Sequence, residues 1–371
     1  MELILPSLYS ELEGPALPNI VKKIKEVDYL NHIVIGLDQA DEDQYRAALE
    51  FFDELGTPFN ILWNDGPRLK ELDEELREHD LAPRERGKGR NVWYCMGMVL
   101  ARSKAEAVAL HDCDILTYDR GLLAKLFYPV ANPNFQFEFC KGYYPRVADG
   151  KINGRVSRLL VGPLLIALEN VLGPRDYLNF MKSFRYPLAG EFATRRELLK
   201  ELRVPSDWGL EIGVLSEMYR NQASNRICQV DIAPAYDHKH QDLSADNDQS
   251  GLSKMSIDIT KTLIRKLANQ GNIFTSELFR TLKATYYRTA LDFVEMYHKA
   301  AVLNGLKLDV HYEEQAVETF AENVVKAGEV FLQNPDETPF IPTWARVISA
   351  IPDFHIRLRL AVEKDNKEYK K

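Results

Sequence analysis

The chain has 371 residues, room for one large domain or two modest ones and for a sizeable buried core. Its 45% hydrophobic residues are a globular composition, and its formal charge of −8 excludes a general binder of nucleic-acid backbones while leaving room for a local basic pocket. The longest strongly apolar stretch, 159–168, is broken by Gly162 and Pro163; with no signal-like N-terminus and no C-x-x-C pair, a soluble cytoplasmic protein with reduced thiols is expected, touching neither membrane nor nucleic acid.

In chain order, an apolar opening at 2–5 leads to helical spacing over 16–26. The β-branched run 32–37 (HIVIGL) reads as a strand, 41–55 as a helix and 58–63 as a third strand. Helices follow at 67–78 and, after a Gly-Lys-Gly turn, at 91–102, and 107–111 (AVALH) is the fourth strand. This alternation predicts a parallel α/β sheet, whose ligands sit beyond the carboxyl ends of the strands. A strand at 135–144, helices at 156–172 and 208–221, and a strand at 227–232 come next, then a polar stretch at 241–251. Beyond it only helical stripes remain, around 255–267, 279–297 and 317–331.

Asp112-Cys113-Asp114 follows the fourth strand. Residues i and i+2 of a strand end point the same way about 7 Å apart, so two carboxylates there can share one hard divalent cation. The same spacing in Asp41-Glu42-Asp43 and Asp246-Asn247-Asp248 falls at a helix start and in a polar loop, where solvated acids suffice. Gly87-Lys88-Gly89 and Gly154-Arg155-Val156-Ser157 each open a helix with glycine and a cation, which suits an anion but also suits an ordinary helix entry. The first is not P-loop spacing. His238 and His240 follow the strand 227–232, where an imidazole would complete a carboxylate metal site or simply be solvated. Glu211, inside Trp208-Gly209-Leu210-Glu211-Ile212-Gly213, is either salt-bridged or functional.

These pieces occur together with Ile4-Leu5-Pro6-Ser7-Leu8, Glu11, Gly162-Pro163-Leu164-Leu165 and Leu188-Ala189-Gly190-Glu191-Phe192-Ala193. Their joint order over residues 1–245 resembles the glucosyl-3-phosphoglycerate synthases, retaining glycosyltransferases related to the mannosylglycerate synthases. The resemblance implies an α/β GT-A fold over 1–245, a Rossmann-like mixed sheet flanked by helices, with 246–371 a linker and C-terminal helical region. It implies Pro6, Ser7, Leu8, Glu11, Gln39 and Lys88 around a nucleotide sugar, with Asp112, Cys113 and Asp114 at its diphosphate. Asp112, Asp114 and His238 would hold Mg²⁺ or Mn²⁺. Gly154, Arg155, Val156 and Ser157 would hold the phosphate of 3-phosphoglycerate, and Glu211 and Asp114 would be catalytic. The implied reaction moves glucose from UDP-glucose to 3-phosphoglycerate.

Three departures stand out against the family pattern: Tyr9-Ser10 before Glu11, Gln39-Ala40 after Asp38, and His240 in place of an asparagine. The rivals are a mannosyl transferase using GDP-mannose and glycerate, which has less need of Arg155, and a non-catalytic sugar-nucleotide-binding scaffold, which has no reason to keep a metal set. The amphipathic stripes of the tail need covering, so a homodimer with contacts from 252–371 is expected.

Overall fold

The structure, a computed structural model, describes residues 1–102, 104–237, 251–335 and 341–370. Its strands are β1 (Glu2–Leu8), β2 (His32–Asp38), β3 (Phe59–Trp63), β4 (Ala107–Leu110), β5 (Phe139–Tyr143), β6 (Val147–Ala148), β7 (Lys151–Ile152), β8 (Phe192–Arg195) and β9 (Ile227–Asp231). Seven form one sheet in the order β3-β2-β1-β4-β8-β5-β9, while β6 and β7 make a separate hairpin. Within the large sheet β8 runs against both neighbours and the remaining pairs are parallel.

The central strands are apolar on both faces, as parallel strands covered by helices must be. Ile4, Val34, Leu62, Val108 and Leu110 enter one core; Leu3, Leu5, Ile33, Ile35, Ile61, Ala107 and Ala109 enter the other. The second core is closed by the helices Ala16–Ile24, Glu42–Phe52 and Arg120–Ala131, which supply Leu17, Ile20, Leu49 and Leu122. Asp41 caps the helix Glu42–Phe52 in a reciprocal box with Gln44, which accounts for the first of the spare acidic triplets.

The first core is larger because the C-terminal helices join it. The helix Lys88–Arg102 is buried on every side from Gly89 to Ala101, as expected of a helix sandwiched between layers. Its Trp93 stacks on Trp344 with centroids 4.3 Å apart, and the indole N–H of Trp344 donates to the Trp93 carbonyl at 2.9 Å. The predicted stripes lie on the helices Gly251–Ala268, Ser276–Leu303 and Val310–Gln333, and Leu263, Leu282, Tyr286, Phe320 and Val324 are fully buried in the same core. The Tyr286 hydroxyl donates to the Leu159 carbonyl at 2.6 Å. The tail is thus packed on the α/β body instead of hanging from it.

Two further helices, Trp344–Ala350 and Phe354–Glu368, complete the chain. The last one lies along β3, an edge strand whose backbone groups would otherwise be open to pairing. There Asn366 accepts from the Ile61 N–H at 2.8 Å and donates to the Ile61 carbonyl at 2.7 Å. Arg357 grips Glu75 with two hydrogen bonds of 2.6 and 2.7 Å. Among the described residues no helix is long and apolar enough to cross a membrane.

Candidate active site

The carboxyl ends of β1 and β2 lie side by side next to β4. In register, Pro6 faces Gly36, Ser7 faces Leu37 and Leu8 faces Asp38. Ser7 is buried and its hydroxyl donates to the Leu8 carbonyl at 3.0 Å, whereas Leu8 is exposed at the rim. Burial pushes Asp38 up to about 6, although Asn91 donates to it at 3.1 Å. Gln39 is exposed and has a left-handed φ of 57°, which non-glycine residues seldom take. Its N–H is held by Asp65 at 2.8 Å, and Asp65 is in turn held by Arg86 at 3.1 Å.

Asp112 and Asp114 lie just past β4, which ends at Leu110, so they sit in an irregular segment and not in the strand end itself. Lys88 bridges the site: its Nζ is 2.6 Å from Oδ1 of Asp112 and 2.9 Å from Oε1 of Glu211. Burial works against its charge, but the two carboxylates outweigh burial and hold it well above the usual lysine value. Asp114 is pushed up to about 7, first by burial and then by the charges of Asp112 and Glu11. Glu191, fully buried behind Asp112, is raised by burial and by that neighbour, and the Tyr236 hydroxyl donates to it at 2.5 Å. Burial lowers Lys141 to about 8, and its Nζ donates to the Ala189 carbonyl. A Cβ on Gly190 would lie 2.5 Å from Oδ2 of Asp112 and would push that carboxylate aside.

The glycines of Gly87-Lys88-Gly89 serve a different purpose from the one their sequence suggests. A Cβ on Gly87 would lie 2.6 Å from the Ser206 carbonyl oxygen, and one on Gly89 would lie 1.8 Å from that of Pro205. They admit the protein's own 205–207 loop, not a ligand, and this packing sets where Lys88 stands.

From Lys88, Asp112 and Asp114 a cleft runs past Tyr144, Tyr186 and Trp208 to residues 153–157. Gly154 has a φ of +76° and touches Arg146 and Tyr186, where a Cβ would come within 3.2 Å of each. The chain then enters a π-helical turn, Val156–Val161, continued by the helix Gly162–Leu172. The first N–H groups of a helix lack intrahelical partners and attract anions. Val156 turns its side chain into the core, so its backbone is what it offers the cleft; Ser157 is half-buried. Arg155 lines the cleft too, but its Nε donates to Oε1 of Glu313 at 2.9 Å.

No protein-family model matches the chain. A glucosyl-3-phosphoglycerate synthase from Persephonella marina is 44% identical over 99% of the chain and 91% of its own length. The chain belongs to the glucosyl-3-phosphoglycerate synthase family. A second member, from Methanococcoides burtonii, is 39% identical over 99% of the chain and 90% of its own length. The crystal structure of the Mycobacterium tuberculosis glucosyl-3-phosphoglycerate synthase with Mn²⁺, UDP-glucose and phosphoglyceric acid superposes with a TM-score of 0.53 at 22% identity, covering 72% of this chain and 79% of that one. That likeness establishes the GT-A fold, and family membership makes the chain a hexosyltransferase.

The structure therefore brings Lys88, Asp112, Asp114, Glu211 and residues 154–157 to one cleft, with Pro6, Ser7, Leu8 and Gln39 on the adjoining strand ends. The negative charge of Glu11 reaches Asp114 and Cys113. The Cys113 side chain is buried away from the cleft in the second core, which leaves only its backbone to a donor. His238 lies outside the described residues, and among those described no three metal-binding side chains converge. Arg146, Lys141 and Glu313 were not singled out from sequence, and Glu191 was quoted only within the motif 188–193, with no role. A lysine inside the apolar strand Phe-Cys-Lys-Gly-Tyr was the one local signal available for Lys141.

Proposed function

We infer that this chain transfers the glucosyl group of UDP-glucose to 3-phosphoglycerate, forming glucosyl-3-phosphoglycerate and UDP with a divalent cation, Mg²⁺ or Mn²⁺, on the diphosphate. One observation carries the reading: a single cleft has carboxylates and a lysine at one end, and an arginine with a helix N-terminus at the other. The relatives at 44% and 39% identity are named for this reaction, and the mycobacterial neighbour holds Mn²⁺, UDP-glucose and phosphoglyceric acid together.

The donor set suits a hard cation. Asp112 and Asp114 offer only oxygen, and a carboxyl raised to about 7 by burial first and then by its acidic neighbours marks a cluster short of positive charge. Asp112 and Asp114, with His238 as third ligand, would hold the ion; when bound it offsets charge gathering on the departing diphosphate. Lys88 adds a charge-assisted donor on the same side, oriented by Glu211, which in this reading stands near the sugar. Ser7, Leu8, Glu11 and Gln39 shape the nucleotide wall. At the far end Arg155 and the backbone N–H groups of Val156 and Ser157 seat the acceptor phosphate. Binding there orients the acceptor hydroxyl, so energy from a remote group is used at the reacting centre. A homodimer belongs to the same reading; Met296, Val302 and Leu303 are exposed at one end of the helix Ser276–Leu303 and offer it a surface.

The test is mass-spectrometric detection of product from purified chain with UDP-glucose and 3-phosphoglycerate, with and without Mn²⁺. Metal-dependent glucosyl-3-phosphoglycerate is the expected result. Turnover of GDP-mannose with glycerate alone, or hydrolysis of UDP-glucose without transfer, overturns the reading.

A further inference from the structure

Arg155, at the acceptor end of the cleft, is held by two residues more than 150 positions further along the chain. Tyr312 and Glu313 stand in the first turn of the helix Val310–Gln333, which is capped by Asp309 accepting from the Tyr312 N–H at 3.1 Å. Glu313 is 2% exposed. One of its oxygens accepts from Nε of Arg155 at 2.9 Å, and the other lies 2.7 Å from Nη2 of Arg158. The Arg155 guanidinium also sits over the Tyr312 ring, 4.2 Å from its centroid. Arg158 itself is buried, stacks over Tyr297 at 4.7 Å, and donates through Nε to the Asn153 carbonyl at 2.8 Å.

A guanidinium is a rigid plane with five N–H groups in fixed directions. Fixing its Nε edge on Glu313 and one face on Tyr312 therefore fixes the direction of its terminal nitrogens. Among the described residues those two nitrogens make no hydrogen bond, while Arg155 remains 31% exposed along the cleft. The balance of charge keeps the site attractive to anions: one carboxylate is shared by two arginines, leaving a net positive charge beside the cleft. An arginine already held in place gives up little rotamer freedom when a ligand binds.

We propose that Glu313 and Tyr312 are positioning residues for the anionic acceptor: the helix Val310–Gln333 holds Arg155 in the orientation that receives the acceptor's phosphate. This rests on the assignment of residues 154–157 to the acceptor, and it makes the helical tail a part of the binding site as well as of the core.

The experiment is steady-state kinetics on the full chain, with 3-phosphoglycerate and UDP-glucose varied separately. Glu313→Ala should raise the KM for 3-phosphoglycerate by about tenfold or more and leave the KM for UDP-glucose within about twofold. Glu313→Gln keeps an oxygen for the Arg155 N–H and should recover most of the loss. Arg155→Ala combined with Glu313→Ala should raise the acceptor KM no further than Arg155→Ala alone, because Glu313 acts on the acceptor through Arg155. Tyr312→Leu, which strands no buried charge, should raise the acceptor KM by about threefold and serves where Glu313→Ala does not fold. A normal acceptor KM in Glu313→Ala or Tyr312→Leu, equal shifts for both substrates, or full additivity with Arg155→Ala overturns the proposal. If Arg155→Ala itself leaves the acceptor KM unchanged, the assignment of residues 154–157 fails first and the proposal falls with it.

Discussion

Lys88 touches two carboxylates, Asp112 at 2.6 Å and Glu211 at 2.9 Å, so replacing it tests the donor end of the cleft directly. Lys88→Met keeps the length of the stem and removes the charge. Each lost charge-assisted hydrogen bond is worth roughly 1.5–3 kcal/mol, but only the part larger in the transition state slows the reaction. A single preorganised donor aimed at developing charge is worth about 2.7–4 kcal/mol, which gives an expected fall in kcat of about 10²–10³-fold. A second effect follows from the same charge. Lys88 holds down the Asp114 carboxyl, which burial, Asp112 and Glu11 together push up to about 7. Without Lys88 that carboxyl must rise further, and the acidic limb of kcat/KM for UDP-glucose moves to higher pH. The assay is initial-rate UDP release across the neutral range, at saturating 3-phosphoglycerate and fixed Mn²⁺. A fall in kcat of less than about tenfold, or an acidic limb that stays or moves down, refutes the reasoning.

Asp114→Asn should abolish transfer yet stabilise the metal-free protein at alkaline pH. The native carboxyl titrates near 7 against an ordinary value of 3.8, so native protein binds the extra proton between these values, stability falls as pH rises through that window, and the penalty is complete above it. Thermal melts in chelator at pH 5 and pH 8 check this; a variant that melts below wild type at pH 8 contradicts it. Trp344→Ala removes a fully buried ring stacked on Trp93 and should cost about 3–5 kcal/mol in denaturant titration; a loss under about 1 would separate the tail from the core. Gly89→Ala puts a Cβ 1.8 Å from the Pro205 oxygen, forcing the loop or Lys88 to move, and should lower kcat/KM by at least about tenfold. Unchanged kinetics in that variant would detach the loop from the site.

What could be read in the sequence follows the range of the forces involved. The runs in β2, β3 and β4 were legible because strands buried on both faces must be apolar throughout, and the helix Pro67–Glu78 was placed to the residue by its own periodicity. β8 was not, because four residues, Phe-Ala-Thr-Arg, carry no period that a loop could not carry; its strand character comes from antiparallel partners on both sides. The sequence marked 156–172 as one helix, but its first part, Val156–Val161, is a π-helical turn. At the site, Glu211 and the aspartates that follow β4 were visible as charges next to apolar runs. The pairing of Arg155 with Glu313 spans 158 positions and leaves no local trace in either segment. The same holds for Gly87 and Gly89, whose need for space is set by residues 205–207.

The clasp of Asn366 on Ile61 joins residues 305 positions apart, and it has a consequence during synthesis. A ribosome adds about 5–20 residues per second, so roughly 15–60 seconds separate the emergence of the two partners. For that interval β3 leaves the ribosome with its outer backbone unmatched, and Trp93 has no Trp344 to cover it. The growing chain thus carries a sticky sheet border and an uncovered aromatic face until the segment 344–366 has been made. Ribosome-associated chaperones should bind stalled nascent chains ending before residue 344 and let go of those in which residue 366 has cleared the exit tunnel.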